Sequence, residues 1–239
     1  MRENASMPDH QQVQRFYDDV YYAGKPGASA VPWHMRVIAK RLGLSQGDMV
    51  LDIACGTGDW LAELQRHGAK VSGVDISARA VERARQRLHD ADIREGVAEQ
   101  LPFDDKRFDI VTCMGSLEHF LDQPRALQEM RRVAKLGARF LILVPNAGFL
   151  SRRLGLYRGT GQVAIRETVR PISEWVGMFG AAGLVVSAKW RDLHPLSTHW
   201  ICRGPVWAWL IRAVQACALA LWPIGWQYQV YFLCRAREG

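Results

Sequence analysis

The sequence predicts an α/β fold in which helices cover both faces of a mostly parallel sheet, and three observations carry that prediction. Short β-branched runs alternate with helical patterns from about residue 48 onward, which is how a parallel sheet with crossover helices is written. The run 50–53 ends in Gly56-Thr57-Gly58 and is followed by Trp60, Leu61 and Leu64 at helical spacing, the pattern of a strand, a tight turn and a helix start. The run 70–75 ends on an acid, Asp75, 17 residues after Gly58.

Taken in order, Val13, Phe16, Tyr17, Val20 and Tyr21 lie at helical spacing and predict a short amphipathic helix with one aromatic face. Gly24-Lys25-Pro26-Gly27 ends it, and a second helix is expected over 33–42, stopping near Gly43. Strand 48–53 then precedes helix 59–66. Strand 70–75 precedes helix 78–88, which Ser77 can cap and whose Val81, Ala84 and Leu88 can face the sheet. Strands 93–97, 108–114 and 139–144 follow, with a helix over 124–134 and a stop at Pro145-Asn146. Helix 173–182 with Gly183 as its stop leads into strand 184–190, and a last strand covers 228–235. Consecutive parallel strands bring their C-terminal ends to one edge, where open α/β sheets bind ligands.

The loop at that edge constrains the ligand. Gly56 and Gly58 leave no side chain between backbone and ligand, and the helix start offers free N–H groups. A dinucleotide site expects a third glycine where this chain has Leu61. Asp52 just before the turn would repel a pyrophosphate and attract an amino group or a sulfonium. Asp75 is placed to accept two ribose hydroxyls. The pair selects a nucleoside without phosphates, and a nicotinamide-dependent oxidoreductase is disfavoured.

With those residues in view, the chain resembles the class I S-adenosylmethionine-dependent methyltransferases. The loop Asp52-Ile53-Ala54-Cys55-Gly56-Thr57-Gly58-Asp59, the acid Asp75, and Ala98-Glu99-Gln100-Leu101-Pro102-Phe103 followed by 108–111 resemble the small-molecule branch that includes ubiquinone and menaquinone biosynthesis methyltransferases. The likeness is good over about 45–146. It implies a Rossmann-like, doubly wound, seven-stranded sheet with an antiparallel last strand, an N-terminal helical lid over 1–44, and one domain over 1–239. It also implies S-adenosylmethionine as cofactor and S-adenosylhomocysteine as product. Carried over residue by residue, Asp52, Ala54 and the Gly56, Thr57 and Gly58 backbone would hold the methionine end, with Met114 alongside. Asp75 would hold the ribose; Ile76, Ala98 and Glu99 would hold the adenine. Val97 stands where many members have an aspartate for the adenine amino group, so a backbone carbonyl or Glu99 would have to serve there. Tyr17 and Tyr21 are lid residues in this reading, or else plain core. His119 and His194 are the candidates for a general base; His119 alternatively only fixes its loop by hydrogen bonding.

Composition narrows the partners. The net charge is +7, and of 31 basic residues 25 are arginine. No dense basic run with interleaved aromatics is present, so nucleic acid is not expected as a partner. The five cysteines form no C-x-x-C pair, and neither a disulfide framework nor a metal site is expected. Met1-Arg2-Glu3-Asn4-Ala5-Ser6 lacks the apolar core of a signal peptide, which makes the cytoplasm the expected location. Two stretches stand out as substrate-side insertions: 147–171, with Arg152, Arg153, Arg158, Arg166 and Arg170, and 193–225, with Trp200, Trp207, Trp209 and Trp222. The apolar stretch 206–222 is too short to span a bilayer and reads as a buried helix, a homodimer contact or a helix lying in a membrane interface. Together these stretches predict a hydrophobic or amphiphilic small-molecule acceptor, with peripheral membrane contact as a corollary. The rival class is a methyltransferase-like protein that binds the cofactor without catalysis and serves as a scaffold.

Overall fold

The computed structural model describes residues 9–24, 31–155, 167–202 and 204–237. The expected turn at 25–27 and the arginines Arg158 and Arg166 lie outside the described residues. Seven strands form one sheet: β1 (Met49–Ile53), β2 (Lys70–Asp75), β3 (Asp92–Glu95), β4 (Phe108–Met114), β5 (Ala134–Pro145), β6 (Leu184–Arg191) and β7 (Gln229–Ala236). Their order is β3-β2-β1-β4-β5-β7-β6. β7 is antiparallel to both neighbours, β5 and β6, and every other pair is parallel. The expected third strand, 93–97, is shorter than its sequence pattern. It ends at Glu95, and Val97 instead pairs with Gln100 in a tight bridge.

Helices fill both faces. α2 (Trp33–Leu42), α3 (Asp59–Arg66) and α4 (Ala78–Arg87) bury Ile38, Leu42, Trp60, Leu64 and Val81 on one side. α5 (Gln123–Val133) and α7 (Ile172–Ala181) bury Leu127, Met130, Trp175 and Phe179 on the other. Each helix starts and stops by ordinary chemistry. Gly43 ends α2 in the left-handed conformation, the Ser77 hydroxyl accepts from the Ala80 N–H at the start of α4, and the Asp122 carboxylate does the same for Arg125 at α5. Trp175 ties its helix to the ligand edge: the indole N–H donates to the Pro145 carbonyl at 2.8 Å, where β5 ends.

The N-terminal segment departs from its sequence pattern. α1 (His10–Phe16) runs directly into a π-helical turn over Tyr17–Tyr21. That wider turn shifts the register of everything after Phe16, so Val20, on the apolar face of a 3.6-residue helix, is 65 % exposed. Tyr17, Tyr21 and Tyr22 form one cluster of ring contacts instead, with centroids 4.9–6.2 Å apart.

The second insertion begins after β6 and ends before β7. Because β6 is parallel to β1 and β5, both of its ends lie on the same sheet edge as the glycine loop. It carries α8 (Thr198–Ile201) and α9 (Trp207–Leu221) after a short turn at His194–Leu196. Of the three readings of 206–222, the buried helix is ruled out: α9 buries only Ala216, and Trp207, Leu210, Ile211, Val214 and Leu221 are 60 to 83 % exposed. Of the first insertion, α6 (Leu150–Arg153) is a single turn. No helix among the described residues is long and apolar enough to cross a membrane.

Replacing Trp175 with Ala should cost about 3–5 kcal/mol, because a fully buried ring and a buried hydrogen bond are lost together. Denaturant unfolding measures this, and a loss below 1 kcal/mol would mean that α7 does not anchor the end of β5.

Candidate active site

Backbone geometry at the end of β1 makes the site. Ala54, Gly56 and Gly58 all take positive φ, at 58°, 54° and 79°. For Ala54 this costs roughly 1–2 kcal/mol, a local strain of the kind that gathers at binding sites. Each glycine is required by a neighbour. A Cβ on Gly56 would stand 2.8 Å from the Tyr22 hydroxyl, and one on Gly58 would stand 2.9 Å from the Leu88 side chain. The loop therefore lets α4 approach α3 at Gly58 and lets the N-terminal segment close down on Gly56.

A cavity of about 240 Å³ opens beside this loop. Its walls are Ile53 and Ala54 from β1, Asp75 and Ile76 from the end of β2, and Val97, Ala98 and Glu99 beyond β3. Met114 ends β4 and Gly115, Ser116, His119 and Phe120 follow it, while His10, Val13, Tyr17, Tyr21 and Tyr22 form the roof. Among the described residues, no Lys or Arg lines the cavity. Two carboxylates without a cation disfavour phosphate and favour a ligand that brings positive charge.

Asp75 is 5 % exposed and is held at both oxygens: the Gly56 N–H donates to Oδ2 at 2.8 Å and the Ser77 N–H to Oδ1 at 2.9 Å. Each oxygen has a second lone pair beside the one that each amide uses. Burial pushes this carboxyl up to about 6 against the lowering effect of those two amides. Burial, with the Asp75 charge next, also raises the Tyr17 and Tyr22 phenols well above their ordinary range, so both stay neutral. Glu99 lines the cavity and also braces it. Its Oε1 accepts from the Leu121 and Asp122 N–H groups, and Oε2 faces His10 at 3.3 Å. It fixes the loop after β4 against the roof, beside the apolar surfaces of Ile76, Val97, Ala98 and Phe120.

Several sequence expectations need correction. Asp52 does not reach the cavity: it is 2 % exposed beneath α3, where Thr112 donates to Oδ1 at 2.6 Å and so ties β1 to β4. A side chain one residue before Ile53 points to the opposite face of the strand from the next. Burial raises the Asp52 carboxyl to about 7. Gly56, Thr57 and Gly58 do not line the cavity either, and the Gly56 N–H is spent on Asp75 rather than left free for a ligand. His194 is also outside it. The His194 ring packs 5.3 Å from the ring of His34, and its backbone N–H donates to Asp192. Burial, and then the neighbouring His194, hold His34 down at about 4. His194 is thus removed as a base acting in the cavity, and His119 remains. Next to His119, Glu118 is buried at 3 % exposure with no hydrogen-bond partner for Oε2, and burial raises it to about 8.

Sequence reasoning missed His10, Val13 and Tyr22 as lining residues. Tyr22 stood next to Tyr21 in plain view; only the π-turn brings both to one side. His10 and Val13 lie one helical turn apart on α1, a spacing that was legible.

The fold is Rossmann-like, a seven-stranded mostly parallel sheet shared with solved methyltransferases. Residues 51–142 match the model of a methyltransferase domain. The chain is 38% identical over 113 residues to a demethylmenaquinone methyltransferase of Thermotoga maritima, covering 46% of this chain and 49% of that protein. Thus the chain spans about half the length of the first curated relatives it matches. It is 33% identical over 166 residues to the uncharacterized methyltransferase YcgJ of Bacillus subtilis, covering 65% of this chain and 64% of that protein. The solved YcgJ structure has a TM-score of 0.59 at 25% identity, covering 87% of this chain and 99% of YcgJ. A geranyl diphosphate methyltransferase in complex with S-adenosylmethionine shares the fold, with a TM-score of 0.64 at 16% identity over 85% of this chain and 84% of that one.

Asp75→Ala should weaken S-adenosylhomocysteine binding by roughly 1.5–3 kcal/mol, the range for hydrogen bonds to a charged acceptor. For the unchanged protein, affinity should fall as pH drops through 6, because the neutral carboxyl that forms there is a poorer acceptor. The loss is roughly tenfold at pH 5 relative to pH 7. Calorimetric titration of both proteins across pH 5–8 checks this; an equal pH dependence in Asp75→Ala would place the titrating group elsewhere.

Proposed function

We propose that this protein methylates a small hydrophobic or amphiphilic acceptor, using S-adenosylmethionine as donor. The observation that carries the reading is the cavity itself, with two carboxylates, no Lys or Arg among the described residues that line it, and an aromatic roof, in a chain whose residues 51–142 match a methyltransferase domain. When bound, S-adenosylmethionine supplies an electrophilic methyl group that a nucleophilic oxygen, nitrogen or carbon takes by in-line displacement. Asp75 would orient the ribose, and Ile76 and Ala98 would flank the adenine. Ala54 and Met114 would lie along the methionine end. Tyr17, Tyr21 and Tyr22 would exclude water from the reacting centre. Positioning of this kind is worth about 7–11 kcal/mol in well-oriented reactions. With a hydroxyl acceptor, His119 would take its proton.

The amphiphilic acceptor is supported by two features. Relatives of the chain are named demethylmenaquinone methyltransferases, and the ligand edge carries the exposed apolar face of α9. Residues 193–227 contain no Asp or Glu, and Arg203 and Arg212 sit in that stretch with five tryptophans. The exposed apolar face of α9, flanked by tryptophans and with Arg212 beside Trp200, suits an anionic bilayer at headgroup depth, and the reading includes peripheral attachment there. A homodimer through α9 is the competing occupant of the same face. In this reading 1–239 acts as one domain, with 147–171 and 193–225 on its substrate side.

Incubation with methyl-labelled S-adenosylmethionine and a total lipid extract tests the acceptor. Label should enter the organic phase, and Asp75→Ala should reduce it at least tenfold at limiting cofactor. Label confined to the aqueous phase would overturn the amphiphilic acceptor. Binding of S-adenosylhomocysteine with no labelled product from any extract would favour a scaffold protein instead. Sedimentation with phosphatidylglycerol vesicles tests the membrane contact: the protein should pellet, and Trp207→Ser with Leu210→Ser should abolish pelleting.

A further inference from the structure

Three hydrogen-bonded contacts fasten the described residues of the roof to the body of the domain, and they differ in kind. His10 faces Glu99 at 3.3 Å and the Gln14 amide donates to Glu95 at 2.8 Å, both at exposed positions where such contacts contribute little. The third is Asp18, in the π-helical turn. Its Oδ1 accepts from the Ser77 hydroxyl at 2.5 Å and from the Arg79 N–H at 3.2 Å. Ser77 is fully buried, and its own backbone N–H is the group that holds Asp75 Oδ1. The same hydroxyl accepts from Ala80 to cap α4. A single residue therefore joins the roof, the start of a helix and the ribose acid, and Asp18, Ser77 and Asp75 form a chain of hydrogen bonds from the lid to the site.

We propose that Asp18 is a positioning residue for the cofactor: its bond to Ser77 latches the 10–22 segment over the cavity and links lid closure to the orientation of Asp75. This rests on the reading of the cavity as the S-adenosylmethionine site. Opening the lid breaks the Asp18–Ser77 bond and frees Ser77 to move with the carboxyl it holds. Closing it restores both, at the moment when Tyr17, Tyr21 and Tyr22 cover the site. The π-turn is what makes the contact, because it carries Asp18 to α4 while the tyrosines on either side line the cavity.

The test uses the full chain with Asp18→Ala, Asp18→Asn and Gln14→Ala. Amide hydrogen exchange is first followed without ligand. Asp18→Ala should speed exchange over 10–22 about tenfold while α5 and β4 stay unchanged; Asp18→Asn, which keeps an acceptor oxygen, should recover most of the protection. Gln14→Ala should leave it as in the parent. Stopped-flow displacement of S-adenosylhomocysteine should then show about tenfold faster dissociation in Asp18→Ala. Unchanged lid exchange in Asp18→Ala would overturn the latch. A loosened lid with unchanged dissociation would overturn its link to the site. If the parent binds no S-adenosylhomocysteine, the reading of the cavity fails, while the exchange comparison still judges the latch.

Discussion

The structure depends on one buried carboxylate. Asp75 sits at the C-terminal end of β2 with its two oxygens fixed by the Gly56 and Ser77 amides. Raising a carboxyl from 3.8 to about 6 means an environment roughly 3 kcal/mol unfavourable to its charged form. Two amide bonds do not offset its burial, and a ligand that brings ribose hydroxyls and a positive charge would. The glycine loop, the cap of α4 and the N-terminal roof all meet at this residue. Gly56 serves it as a donor, Ser77 joins it to α4, and Asp18 reaches it through Ser77.

Much of the fold was legible because its signals are local. The glycines after β1, the acid ending β2 and the alternation of strand and helix are each written within ten residues, and they led to the right sheet. The cavity wall was legible where it lies at or near a strand end, as at Ala54, Asp75, Ile76, Ala98 and Met114. It was misread where the direction of a side chain decided the matter. Asp52 has the right type at the right spacing for a cofactor contact, yet strand alternation turns it under α3 to Thr112. Glu99 lines the cavity, and the Leu121 and Asp122 amides, which the sequence did not announce, both donate to its Oε1. His194 shares the edge and not the cavity, because the turn that carries it packs against His34 on α2.

The lid shows a different limit. A period of 3.6 residues placed Val20 inward, and one π-helical turn reverses that by moving Tyr22 to the cavity and Val20 to solvent. Nothing in the composition of 10–22 announces the wider turn. Its consequence is functional, since the same shift aims Asp18 at α4. The insertion around α9 was ambiguous for a related reason. A mostly apolar helix, here with only Arg212 and Gln215 strongly polar, suits a core, an interface between chains and a lipid surface in sequence, and only its exposure separates the first from the other two.

A crystal structure with S-adenosylhomocysteine bound tests the central role of Asp75 most directly. Both ribose hydroxyls should lie about 2.6–3.0 Å from the Asp75 oxygens, with the Gly56 and Ser77 amides still in place and the adenine between Ile76 and Ala98. A bound nucleoside whose ribose hydroxyls are held by other groups, with Asp75 bonded to the two amides alone, would contradict the account.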